Sequence, residues 1–181
     1  MLLRCTTKML GLLGVRPAAL PEVLAAESNW YVNLLWIERR KCLLLTHAGT
    51  LFPIFVADIR KADLVPIGPY VVDLIEEELR SEGFAPDVLG RLDAEEVRLA
   101  RTGSRSILGV MNNAALPARY RITAMGGIDR ANVNVLNRFL RRTPHQRGVA
   151  DRLGELAGLV VVVENPSFVL IHDQYVVASG P

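Results

Sequence analysis

Cysteine and histidine are scarce in this chain, two and three respectively in 181 residues. His47, His145 and His172 lie far apart and show none of the short Cys/His or His-x₃-His spacings of a local metal site. His172 and Asp173 are neighbours, so on a strand their side chains point to opposite faces. Cys5 and Cys42 each sit in a strand-like run. A single disulfide between them is the alternative to two buried reduced thiols, which pack as small hydrophobes. There is no glycine-rich phosphate loop, no G-x-G-x-x-G fingerprint and no G-x-S-x-G elbow. These absences leave no nucleophile to name, and neither a metal nor a cofactor is expected. No apolar run approaches the ~18 residues of a membrane span. The segment Arg4–Leu13, although no acid precedes Glu22, is broken by Gly11 and lacks a convincing cleavage site. The expectation is a cytoplasmic protein with no membrane partner.

Apolar residues make up half of the chain and charged residues 22%, which excludes disorder as the dominant state. The length suffices for one domain with a sizeable core. The net charge of +2 hides a strong segregation. Tyr70 to Val97 carries nine acids against Arg80 and Arg91, whereas Arg98 to Arg147 carries ten arginines, no lysine and the single acid Asp129. Arginine without lysine favours planar, bidentate contact with carboxylates or phosphates.

Two apolar, β-prone runs flank Glu38-Arg39-Arg40-Lys41 within Trp30 to Thr46, and this pattern predicts a hairpin covered on both faces. Leu2 to Thr6 suits a short strand, and Thr7 to Leu13 a helix that Gly14 closes. Thr50 to Val56 reads as a strand or a helical turn, with Pro53 arguing against a central position. Helices are predicted over Tyr70–Glu82, with Glu76 to Glu78 outward, and over Pro86–Leu92. Val97 to Arg101 alternates as a strand. Ser104 caps a further helix that Pro117 ends, and Asp129 caps one over Arg130–Arg142. Leu159–Val163, Phe168–Ile171 and Tyr175–Ala178 are strand-like. The expected fold is α+β, a small and mainly antiparallel sheet with helices packed against it. Residues 1–147 form the main domain, and 148–181 a β-rich extension that either completes the sheet or follows it.

Two places invite an anion. Arg101-Thr-Gly-Ser-Arg-Ser106 leads into a helix start, where free N–H groups favour negative charge. Arg101 and Arg105 would clamp an oxyanion over Gly103 and Ser104; the plainer alternative is a glycine turn and serine cap with solvated arginines. On the predicted helix from Arg130, Arg130, Asn134, Arg138 (or Asn137) and Arg141 recur at three-to-four-residue spacing, extended by Arg142, His145 and Arg147. Such a face suits nucleic acid, arginine for phosphate or guanine and asparagine for adenine. The alternative is that these arginines pair with the acidic helix at Asp73 to Glu82. Asn112-Asn113 reads as a solvated edge of the Ser104 helix, Asn33 as a buried amide or a pocket lining, and Trp30/Trp36 as core.

MLLRCTTK at the start, WYVNLLWIERRKCLLLT in the hairpin, SRSILGVMNN from Ser104 and LNRFLRRTPH from Leu136 resemble an uncharacterised family of small bacterial proteins, a domain of unknown function. The resemblance runs to about residue 145 and implies one domain over these segments. It supplies no activity to carry over. The expected function is a non-enzymatic binding or regulatory module whose arginine-rich surface meets a nucleic acid or an acidic protein. The alternative is a small toxin-like enzyme that cleaves RNA or modifies nucleotides, with Arg105, Arg138 and His145 around a phosphate. A third reading is a homo-oligomer mated through its opposite charge blocks.

Overall fold

The structure, a computed structural model, describes residues 1–142 and, beyond them, Leu170–Ile171 and Gln174–Tyr175. Leu2–Cys5 (β1), Trp30–Ile37 (β2), Arg40–His47 (β3), Pro53–Val56 (β4) and Arg98–Arg101 (β5) pair in the order β4-β3-β2-β1-β5. β2 and β3 run antiparallel along their whole length, from Trp30 opposite His47 to Ile37 opposite Arg40. β4 continues the antiparallel pattern, while β1 lies parallel to both β2 and β5. The sheet is therefore mixed, mostly antiparallel and open. With the helices Thr7–Leu13 (α1), Ile67–Ser81 (α2), Arg105–Ala124 (α3) and Val133–Arg141 (α4), the chain is α+β.

The period-two alternation explains the layering. Leu3, Cys5, Trp30, Val32, Leu43 and Leu45 face α1 and α2, where Met9, Leu10, Val71, Ile75 and Leu79 complete one core. Tyr31, Leu35, Cys42, Leu44 and Phe55 face α3 and α4, where Met111, Ala118, Ile122, Leu136 and Leu140 complete the other. Each such side chain contributes on the order of 1.5–3 kcal/mol when fully buried. Cys5 and Cys42 belong to opposite cores and are free thiols, so no disulfide joins them. Burial pushes the Cys5 thiol up to about 12 and the Cys42 thiol upward as well.

Several element boundaries differ from the sequence expectation. The hairpin turn is only Glu38-Arg39, both at positive φ (47° and 67°), as a two-residue turn matching strand twist requires. The Glu38 carboxylate is anchored by the Ile128 N–H at 2.8 Å. Thr6 belongs to the cap of α1, its hydroxyl accepting from Met9 N–H, and Gly14 closes that helix at φ 76°. α2 begins at Ile67, three residues before the predicted start, and Glu78 lies on its buried side beside Ile75 and Leu79 rather than outward. Pro86–Leu92 contains turns rather than a helix: Val88 and Gly90 donate to Ala85 and Asp87, and Gly90 sits at φ 96°. α3 runs through Pro117 to Ala124, because Ala114, Ala118 and Ile122 hold one buried stripe on both sides of it. Burying that stripe outweighs the roughly 3 kcal/mol an internal proline costs. α4 starts at Val133 with Asn132, not Asp129, as its cap. Asp129 instead pairs with Arg40 at 3.1 Å. Pro53 opens the edge strand β4, a position where its missing N–H does no harm.

Leu170–Ile171 (β6) and Gln174–Tyr175 (β7) pair with each other, antiparallel. His145 and Arg147, and the remaining residues of the expected extension 148–181, lie outside the described residues. No helix among the described residues is long and apolar enough to cross a membrane.

Candidate functional site

The arginines of the basic block separate into two populations. Arg141 and Arg142, expected on an outward ridge, turn toward the acidic helix. Arg141 is 4% exposed and is bound to Glu78 through Nη2 and to Glu82 through Nη1, the latter at 2.8 Å. Its guanidinium lies 4.4 Å from the centre of the Phe52 ring. Arg142 joins the other oxygen of Glu82 at 3.0 Å. Asn137, on the same side of α4, is wholly buried; its Oδ1 accepts from Phe55 N–H at 2.7 Å and its Nδ2 donates to Phe55 C=O at 3.1 Å. One amide thus copies the pairing a sixth strand would offer and covers the open edge of β4. The same Nδ2 also donates to Glu78 at 3.0 Å. The expected face of α4 is corrected here. At 100° per residue Asn137 and Arg141 fall at the margin of the arc holding Val133, Leu136 and Leu140, and the edge strand draws them inward.

The second population stays outside. Arg105, Arg119, Arg130, Arg138 and Asn134 are exposed, and no carboxylate among the described residues pairs with these four arginines. Arg105 and Arg119 share the outer stripe of α3 with Asn112, Asn113, Leu116 and Tyr120, all exposed, opposite the buried Met111, Ala118 and Ile122. Tyr120 is 79% exposed and Leu116 67%. From Arg105 to Tyr120 the stripe runs along about 22 Å of this 20-residue helix. Arg138 and Asn134 are exposed on α4, which packs beside α3, and Arg130 lies in the connection between the two helices.

The β5–α3 junction forms as the turn-and-cap reading expects. Ser104 caps α3 by accepting from Ile107 N–H at 3.3 Å, and Arg101 binds Glu22 at 2.8 Å. Sequence reasoning missed Arg4, which β1 brings to this junction: its Nη1 donates to the Arg101 carbonyl at 3.0 Å. The available signal was an arginine inside Leu2-Leu3-Arg4-Cys5, an apolar strand flanked by others. Asn33 is half-buried, and its Oδ1 accepts from the Thr6 hydroxyl at 3.1 Å, which ties β2 to the end of β1. Trp30 is core, whereas Trp36 is 49% exposed with Lys41 5.5 Å from its ring centre.

His47, buried against Trp30, bonds Thr50 through Nδ1 at 3.0 Å. Burial lowers its pKa to about 4. It lies at the end of β3, where Nδ1 also accepts from the Thr50 N–H at 3.3 Å, and no carboxylate among the described residues is hydrogen-bonded to it. Among the described residues no group of three His, Cys, Asp or Glu side chains could hold a metal ion.

No curated protein and no solved structure matches this chain. A family model, Domain of unknown function (DUF6933), matches residues 2–152 and so takes in the hairpin, both charge blocks and all four helices. The chain belongs to the DUF6933 family.

Proposed function

We propose that this protein is a non-enzymatic binding module whose arginine-rich surface, centred on the outer stripe of α3, contacts single-stranded nucleic acid. The observation that carries this reading is Tyr120, an aromatic ring left 79% exposed next to Arg119 and one turn from Leu116 on a helix that also presents Arg105, Asn112 and Asn113. Arginines track phosphates, and an exposed ring offers a base its face. The charges are also spread out: Arg105 follows the edge strand β5 and Arg138 lies on α4 against the other edge, β4. Four strand spacings, about 19 Å, separate those edges. An extended polyanion spans such a distance. The alternative of an RNA-cleaving enzyme needs Arg105 and Arg138 around one phosphate, which that separation does not favour.

Fluorescence anisotropy with random-sequence single-stranded RNA and DNA tests the proposal. Binding is expected at low ionic strength, and Tyr120→Ala is expected to weaken it by about 1–3 kcal/mol while leaving unfolding unchanged, since the ring packs on little. Absence of binding at low salt rejects the proposal. Binding of polyglutamate in place of nucleic acid moves it to an acidic protein partner.

A further inference from the structure

The carboxyl ends of β1 and β5 hold a feature that the α3 stripe does not use. These strands are adjacent and parallel, with Cys5 level with Arg101. The chain leaves β1 through α1 onto one face of the sheet and leaves β5 through α3 onto the other. Diverging connections of this kind open a crevice at the ends of the two parallel strands, as at the switch point of an open parallel sheet. A cavity of about 570 Å³ lies there, lined by Arg4, Glu22, Arg101, Thr102 and Gly103 among others. That volume fits a ligand of nucleotide size.

Arg4 sets the charge of what belongs in it. The residue is 2% exposed, and no carboxylate among the described residues pairs with it. Its Nε donates to Asn29 Oδ1 at 2.6 Å, its Nη2 to the Val23 and Leu24 carbonyls at 2.7 and 2.5 Å, and its Nη1 to the Arg101 carbonyl at 3.0 Å. A guanidinium has five N–H donors, so one Nη1 hydrogen is left without an acceptor among the described residues. A cation buried against neutral carbonyls alone is poorly compensated, and a negative group completes its shell. Gly103 keeps the approach to that nitrogen open: a Cβ there would stand 3.1 Å from Nη1. Arg101 waits at the edge with its side chain 45% exposed, held by Glu22, whose side chain is 90% exposed and free to swing away.

We infer that this cavity binds a small phosphate-bearing molecule, with phosphate oxygens taken by Arg4 Nη1 and Arg101, and with Glu22 displaced from Arg101 as the anion enters. The inference stands independently of the α3 reading. Titration calorimetry of the full chain with inorganic phosphate, adenosine monophosphate and adenosine tests it. Phosphate is expected to bind at about millimolar concentration, the nucleotide more tightly, and adenosine not at all. Glu22→Gln, which removes the internal competitor, should tighten binding several-fold. Gly103→Ala should weaken it by about tenfold or more, and Tyr120→Ala should leave it unchanged. Arg101→Gln, at an exposed position, should reproduce the loss and serves if Gly103→Ala disturbs the fold. Failure of both phosphate probes to bind at about 10 mM, or unchanged affinity in Arg101→Gln, overturns the inference.

Discussion

Arg141→Ala is expected to destabilise the protein by about 3–5 kcal/mol, read as a lower urea midpoint at unchanged slope. The substitution strands Glu78, an 8% exposed residue, without its cation, and it weakens the hold on Glu82. It also removes the guanidinium from the Phe52 ring and a donor from the Pro53 carbonyl, with its Nε at 3.4 Å. The neighbouring Arg142→Ala gives the contrast. Its side chain is 60% exposed, so losing its contact with Glu82 should change stability by no more than about 1 kcal/mol. A combined Arg141→Met and Glu78→Leu variant should recover most of the loss, because the expensive species is a buried charge left alone. If Arg141→Ala costs no more than Arg142→Ala, Arg141 is not the cation on which buried Glu78 depends.

Acid should weaken the fold before most carboxylates titrate. His47 is buried neutral and its pKa is held at about 4, against 6.5 for an ordinary imidazole. As pH falls below 6.5 the unfolded chain takes up this proton first, so it binds more protons than the native state. Stability therefore rises with pH between about 4 and 6.5, and the contribution of the neutral ring is lost as acid is added through that window. The full loss is about 3 kcal/mol. Protonating Nδ1 would also deprive the Thr50 N–H of its acceptor. Unfolding free energies from pH 7 down to 4 should fall more steeply for the wild type than for His47→Gln, the two curves diverging mostly below about 6. Parallel curves would show that His47 is not the titrating group.

Much of this architecture was legible because burial leaves a period in the sequence. The two-sided alternation of Trp30–Ile37, the Gly14 stop of α1 and the Ser104 cap of α3 are local signals, and the structure follows them. What could not be read were tertiary decisions. Pro117 marks a helix end by local rules, yet Ala118 and Ile122 continue the buried stripe beyond it. The helical pattern places Glu78 outward with Glu76 and Glu77, and nothing local shows that it lies beside Ile75 and Leu79 with Arg141 as its partner. The candidate site divided in the same way. The opposed charge blocks were visible, and the alternative of internal pairing accounts for Arg141 and Arg142. Which arginines the edge strand would claim depended on the reach of β4, and Arg4 is brought to the β5–α3 junction by strand pairing alone.

The division of the arginines into an internal and an external set is the claim on which the functional reading rests. Its most direct test is the salt dependence of single-stranded RNA binding. The four exposed arginines of α3, α4 and their connection that pair with no carboxylate among the described residues, Arg105, Arg119, Arg130 and Arg138, should give a log–log slope of about −3 for the wild type. The triple variant Arg105→Gln, Arg119→Gln, Arg138→Gln should give about −0.7 while unfolding as the wild type does. A slope that the triple variant leaves unchanged would contradict the account, since the phosphates would then be neutralised somewhere other than on the α3–α4 face.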